Sequence, residues 1–298
     1  MPAAAEIAWL IPLLPLAGAA VIGLLLTTFN LTMNRLSKPV AVLSMSCIGA
    51  AGALSFALMS ADLANGVSPE KLFSIDQINL QLGYRIDPPG SVMLLLVSIS
   101  ALLLMLLSHR EMTGKKGYVR CFTYLGFFSG ALLGLVMSPN LAELFLFWIL
   151  LGICSQQLIS IWYNSRQEEN LGGHGSLVDR LGDLGLFLGT IDLLRVTGNL
   201  EFVSISSTLS TVIQADEVSN KAVFLLCLLL LVGPLSKSVQ LPLHIWQTRT
   251  QSLAIPLPGV VHDLMLIGAG LFLALRLQPI LETGAMALKG SSLMQSLA

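Results

Sequence analysis

Residues 88–108 read PPGSVMLLLVSISALLLMLLS and contain no charged side chain. A run of about 20 apolar-rich residues is long enough to cross the hydrocarbon core of a bilayer, roughly 30 Å thick, as one α-helix. Two similar charge-free runs precede it, at 7–34 and 39–59. These three runs predict membrane-spanning helices and place the chain among polytopic membrane proteins.

The composition of the whole chain supports the same class. Of its 298 residues, 54% are hydrophobic and 11% are charged, against roughly 25% charged in an average globular domain. The 16 Lys and Arg residues nearly balance the 17 Asp and Glu residues, so the chain lacks the basic surface that nucleic-acid binding requires. High hydrophobicity with low charge also excludes a disordered chain. The expected surroundings are a lipid bilayer, and no nucleic acid is expected as a partner.

Five further spans bring the predicted number of membrane helices to about eight. They lie near 119–137, 144–162, 179–196, 222–243 and 255–277. With eight helices both termini fall on one side, and the loops of the opposite side hold nine Lys and Arg residues against six on the side of the termini. The positive-inside rule therefore predicts that both termini are lumenal or periplasmic.

The segment GPLSKSVQLPLHIW (233–246) places a lysine, Lys237, inside a predicted span. A charge at this depth costs about 2.5–3.5 kcal/mol on insertion scales and so suggests a function. Pro242 lacks an N–H and its ring clashes with the carbonyl of Ser238, which predicts a break in the helix after the lysine. Transporters build ion sites at such breaks, where protein or water satisfies the freed backbone groups.

Several other polar residues could share a proton path with Lys237. His244 lies two helical turns after the lysine, and His262 is followed by Asp263 inside the last span. Asp183 is one turn from Asp179 and could pair with a buried cation. The alternatives are that Lys237 extends toward the interface, that the histidines cap interfacial backbone, and that the aspartates begin a solvated helix. The residues alone leave these alternatives open.

Motifs for a bound cofactor are absent from the sequence. The four cysteines stand singly, and no group of Cys and His has zinc or iron–sulfur spacing. There is no phosphate-binding glycine loop, nucleophile elbow or HExxH motif. We therefore expect no metal, no catalytic centre of the chain's own and no cofactor bound by a motif, with lipids as the expected ligands.

Eight segments carry a resemblance to a known family. They are AWLIPLLPLAGA (8–19), LGYRIDP (82–88), GYVRCFTYL (117–125), LGLVMSPNL (133–141), FWILLGICS (147–155), DRLGDLGLFLG (179–189), VTGNLEF (196–202) and KSVQLPLHIW (237–246). In this order and at this spacing they resemble the antiporter-like large membrane subunits of complex I, most closely the F subunit of the cyanobacterial and chloroplast NAD(P)H–quinone oxidoreductase.

The resemblance implies a subunit built from two inverted five-helix repeats, each with a broken helix and a proton half-channel. It implies that Lys237 corresponds to the lysine of the broken helix and His244 to the histidine that follows. His262 corresponds to a histidine on the next helix. Asp183 corresponds to the aspartate that ends the family's Asn-Arg-Val-Gly-Asp segment.

The predicted fold is accordingly an all-α polytopic membrane protein with about eight transmembrane helices. Residues 1–108 are expected to form three N-terminal helices. Residues 109–280 are expected to form one antiporter-like five-helix repeat with a broken helix, and 281–298 a short C-terminal tail.

The sequence also departs from the family pattern. The family's Phe-Trp-Glu motif, whose glutamate pairs with the lysine, has Ile149 in the last position, and residues 247–256 (QTRTQSLAIP) lack both carboxylates of the family's loop. Asp263 occupies a position where the family has a small residue. Because the sequence ends near residue 298, we expect the second repeat to be absent.

With Ile149 in place of the family's glutamate, Lys237 needs another carboxylate as its partner. An ammonium that keeps its charge in a buried site without a partner costs about 3–5 kcal/mol. Among the carboxylates of the sequence, we expect Asp183 to replace the missing glutamate, with Asp263 as the second choice.

The sequence therefore favours a truncated paralogue with a scaffold or accessory role in a membrane complex and little or no autonomous pumping. One alternative is an active antiporter-like subunit of a complex I-type oxidoreductase that contributes a proton half-channel. Two others are a partner in energised inorganic-carbon uptake and an accessory photosystem subunit, in which His109 or His262 could ligate chlorophyll. All of these predict other membrane subunits as partners, in the thylakoid or plasma membrane of a cyanobacterium-like source.

Overall fold

The computed structural model describes residues 7–29, 37–60, 67–75, 80–115, 117–162, 165–215, 218–238 and 257–290. Apart from one β-hairpin, the described chain is mainly helical. The helices are α1 (Leu10–Thr28), α2 (Ser37–Ser60), α3 (Pro88–Met112), α4 (Tyr118–Met137), α5 (Leu141–Trp162), α6 (Ser165–Thr197), α7 (Ile205–Gln214), α8 (Asn220–Ser238) and α9 (Leu257–Gly290).

Seven of the described helices, α1 to α5 with α8 and α9, are long and apolar enough to cross a membrane. They coincide with seven of the predicted spans and confirm the fold class, an all-α polytopic membrane protein. The eighth predicted span, 179–196, lies within α6, a helix of 33 residues that includes Asp179, Asp183 and Asp192. Its passage through the membrane stays a prediction. Helix α9 continues past the predicted end at residue 277 and includes Pro279.

A two-stranded antiparallel hairpin, which the sequence analysis did not predict, precedes α3. Strands β1 (Val67–Ile75) and β2 (Leu80–Ile86) pair with Val67 opposite Ile86 and Ile75 opposite Leu80. Strand β2 leads directly into Asp87, whose carboxylate accepts a hydrogen bond from the N–H of Gly90 at 3.0 Å and caps α3. Pro88 at the first position of the helix needs no N–H partner there.

The core of the molecule is organised around α4, which packs against α1, α2, α3 and α5. Glycines on α4 allow α1 to approach closely. A Cβ at Gly126 would lie 2.8 Å from the Cβ of Ala19, and one at Gly130 would lie 2.6 Å from the Cγ of Leu16. Small residues at helix contacts are typical of membrane bundles, because lipid supplies no hydrophobic force between helices and close packing must do so instead.

Helix α8 lies between α6 and α9, and this arrangement positions the candidate site. Its contact with α6 again depends on glycine. A Cβ at Gly189 would lie 2.9 Å from Leu230, and one at Gly233 would lie 2.8 Å from Leu186. The close approach brings the end of α8 toward the polar residues of α6.

Candidate functional site

Lys237 lies in the last described turn of α8 and is 6% exposed. The helix before it is a run of leucine, valine and alanine that favours burial. The long side chain of Lys237 extends from this apolar helix to α5, where the ammonium lies against Trp148 and Gly152. Gly152 is the twelfth of the 22 residues of α5, so the ammonium lies near the middle of this membrane-length helix.

Among the described residues, the ammonium of Lys237 contacts a carboxylate, a backbone carbonyl and an indole ring. Its Nζ lies 3.2 Å from Oδ1 of Asp183 on α6 and donates to the backbone carbonyl of Trp148 at 3.3 Å. The indole ring of Trp148 lies 4.6 Å from Nζ, within the range of a cation–π interaction. The structure thus brings Asp183, the sequence's first choice of carboxylate, into contact with Lys237.

Trp148 also contacts the carboxylate of this pair. Its Nε1–H donates to Oδ1 of Asp183 at 2.7 Å, so one fully buried side chain touches both partners. Sequence reasoning missed this role of Trp148. Its double role arises from its position between α6 and α8, which the sequence does not reveal.

Gly152 makes room for the ammonium on α5. A Cβ at this position would lie 2.8 Å from Nζ of Lys237 and 3.6 Å from Oδ2 of Asp183. The absent side chain is therefore what allows the lysine to reach the carbonyl of Trp148. Ile149, one turn earlier on α5, is only half-buried.

Gly152→Ala is expected to lower the free energy of unfolding by about 1–3 kcal/mol, because the added methyl group displaces the ammonium from its partners. Denaturant unfolding in detergent micelles measures this change. The matched control is Gly49→Ala on α2, where no atom lies within 4 Å of the added Cβ and the change should be neutral or slightly stabilising. Equal effects of the two substitutions would contradict the role assigned to Gly152.

His262 and Asp263 are brought together near the beginning of α9, away from direct contact with Lys237. Nδ1 of His262 lies 3.1 Å from Oδ1 of Asp263. The imidazole is fully buried and packs against the rings of Phe128 and Trp162, at centroid distances of 4.7 and 5.5 Å. The Lys237 partner in this structure is Asp183, and Asp263 instead binds its neighbouring histidine.

Two of the predicted site residues, Pro242 and His244, lie outside the described residues. Helix α8 is described to Ser238 and α9 from Leu257. The helix break after Lys237 and the contribution of His244 therefore stay predictions, as does a role in proton transfer for Lys237, Asp183, His262 and Asp263.

A second buried ion pair, which the sequence analysis missed, joins α9 to the beginning of α3. Both terminal nitrogens of Arg276 donate to the carboxylate of Asp87, and one also donates to the carbonyl of Val136 at 3.2 Å. Nε of Arg85 lies 3.6 Å from the same carboxylate. Asp87 therefore caps α3 and balances two arginines at once.

Aromatic rings cover the Arg276 guanidinium. It lies 5.0 Å from the ring centroid of Phe272 and 5.8 Å from that of Phe202. Two features of the sequence bear on this ion pair. One is an arginine inside the predicted span 255–277, and the other is the Asp-Pro pair at 87–88, which is typical of a helix start. Neither feature identifies the other as its partner without the fold.

The chain belongs to the family of transmembrane subunits of NADH:quinone oxidoreductases and Mrp antiporters, whose family model matches residues 138–294. The match includes α5, α6, α8 and α9 and thus every residue of the Lys237 site. The resemblance predicted from the eight sequence segments is confirmed.

Similarity to individual proteins supports the same family assignment. The chain is 39% identical to NAD(P)H-quinone oxidoreductase subunit 5, organellar chromatophore 1, of Paulinella chromatophora over 280 residues, which cover 93% of this chain and 42% of the relative. It is 36% identical to NAD(P)H-quinone oxidoreductase chain 5 of a Synechocystis species, over 93% of this chain and 41% of the relative. The chain thus spans about two fifths of the length of these relatives.

The fold is similar to that of a chain in the Mrp complex from a Dietzia species. The TM-score is 0.70 at 20% sequence identity, over 92% of this chain and 28% of the other. At this level of identity the similarity establishes a shared antiporter-like membrane fold.

Proposed function

We propose that the chain is an antiporter-like membrane subunit of a complex I-type oxidoreductase, in which Lys237 and Asp183 form a proton-exchanging ion pair. The observation that carries the proposal is the 3.2 Å contact between Nζ of Lys237 and the Asp183 carboxylate, on a lysine side chain that is 4% exposed. Ionisable residues at membrane depth are rare, and where they occur they mark ion and proton pathways.

The chemistry of such a pair suits proton exchange. While Asp183 stays beside Lys237, the carboxylate and the Trp148 carbonyl hold the ammonium in its charged form. When the carboxylate moves away, the buried ammonium loses its counter-charge and releases a proton, leaving the neutral amine. Making and breaking the contact thus couples a movement of α6 against α8 to the uptake and release of one proton.

The proposal also covers the membrane in which the chain lies and its partner subunits. The relatives from a cyanobacterium and from a chromatophore support a thylakoid or plasma membrane of a cyanobacterium-like source. The distribution of Lys and Arg among the loops supports lumenal or periplasmic termini. The partners would be other membrane subunits of the oxidoreductase. The exposed apolar side chains of the described helices face lipid or those subunits.

An accessory role is the second candidate function, and the residue at position 149 favours it. Ile149 replaces the glutamate of the family motif, while Asp183 and Trp148 already satisfy Lys237. A pair that never opens would serve only to join α5, α6 and α8. The two candidates differ in what happens when Lys237 loses its charge.

Lys237→Met is expected to lower the number of protons translocated per electron transferred by the assembled complex. The methionine fills a similar volume but cannot carry a proton, so assembly and electron transfer should persist. The measurement is proton uptake by sealed membrane vesicles, with Lys221→Met, an exposed lysine at the other end of α8, as the control. An unchanged proton-to-electron ratio at normal complex abundance would favour the accessory role.

A further inference from the structure

Asp179, Asp183 and Asp263 lie on α6 and α9, the two helices that pack against α8. Asp179 and Asp183 lie four residues apart on one face of α6, and Asp183 contacts the buried Lys237 of α8. Asp263 on α9 contacts His262 instead.

Two of these carboxylates depart from the family pattern that the sequence resembles. The segment DRLGD (179–183) has aspartate where the pattern Asn-Arg-Val-Gly-Asp begins with asparagine, and Asp263 occupies a position of small residues in that pattern.

The surroundings of His262 favour one of its neutral tautomers. Its Nδ1 is 3.1 Å from the Asp263 carboxylate, whereas its Nε2 is buried with no hydrogen-bond partner among the described residues. A proton on Nε2 would therefore leave a buried N–H without an acceptor. A bare Nδ1 would place its lone pair against the carboxylate. The neutral tautomer with its proton on Nδ1 satisfies both ends best.

We propose that Asp263 is a positioning residue that holds His262 in the Nδ1–H tautomer. This inference goes beyond the proposed function, because it concerns a buried histidine outside the contact between Lys237 and Asp183. The carboxylate that orients a histidine fixes its tautomer in the same way around metal sites.

The test is magic-angle-spinning NMR of the full chain in its native membrane complex, labelled with ¹⁵N-histidine. The His262 signals are identified by their loss in His262→Gln. The wild type should show the Nδ1–H tautomer in about tenfold excess or more, as a hydrogen bond to a charged acceptor supports. Asp263→Ala should bring the two tautomers close to equal, whereas Asp263→Asn keeps an acceptor oxygen and should retain the excess. Glu282→Gln, farther along α9, is the control and should change nothing.

Two results would overturn the role of Asp263. They are a predominant Nε2–H tautomer in the wild type and an unchanged tautomer ratio in Asp263→Ala. If the tautomer is as expected while Lys237→Met leaves proton translocation unchanged, the inference stands and the proposed function fails.

Discussion

Replacing Asp183 with alanine is expected to lower the free energy of unfolding by about 3–5 kcal/mol, because Lys237 would remain buried without its carboxylate. Trp148 would also lose the acceptor of its Nε1–H. Denaturant unfolding of the chain in micelles measures the change. Removing both charges in Lys237→Met with Asp183→Leu should recover much of the loss, since an apolar pair buries no unpaired ion.

The matched control for Asp183→Ala lies on the same helix. Asp192 is half-buried on α6, and no ion pair of Asp192 occurs within the described residues. Asp192→Ala should therefore change the free energy of unfolding far less than Asp183→Ala. Equal losses for the two alanine variants would show that Lys237 does not depend on Asp183.

Asp87→Ala is expected to have an effect of similar size, about 3–5 kcal/mol for the broken buried pair with Arg276. Loss of the helix cap at Gly90 adds about 1 kcal/mol. The same unfolding experiment measures the total. The result would establish that the beginning of α3 is tied to α9 by charge.

A second variant separates the two functions of Asp87. Asp87→Asn keeps an oxygen that can accept from the N–H of Gly90 but removes the charge that balances Arg276 and Arg85. It should therefore lose the ion-pair contribution and keep the cap. If Asp87→Asn is as stable as the wild type, the arginines do not need this carboxylate and the assignment is wrong.

Most of the membrane fold could be predicted from the sequence because charge is so costly in hydrocarbon. The charge-free runs at 7–34, 39–59 and 88–108 coincide with all or most of the first three described helices. Charge-free runs do not identify a membrane span where the helix contains charged residues of a site, as α6 does with Asp179 and Asp183. The hairpin before α3 and the short helix α7 were not predicted, since neither has the length of a membrane span.

The part of the site that could be predicted is the part in which one charged residue requires a counter-charge. A lysine within a span requires a counter-charge, and with Ile149 at the glutamate position Asp183 was the first remaining choice. What could not be predicted depends on how the helices approach one another. The role of Trp148 between both charges, the space at Gly152, and the contact of Arg276 with Asp87 across 189 residues all follow from packing.

The proposed proton exchange requires a carboxylate beside Lys237, whichever helix supplies it. Ile149 lies on α5 one turn before Gly152, where an added Cβ would lie 2.8 Å from the ammonium. We therefore expect a glutamate at 149 to reach the same lysine. The decisive measurement is the number of protons translocated per electron in vesicles that hold the assembled complex, for Asp183→Asn and for Asp183→Asn with Ile149→Glu. We expect a lower ratio in the single variant and recovery in the double variant. A single variant that translocates protons at the wild-type ratio, at normal complex abundance, would contradict the proposed proton exchange.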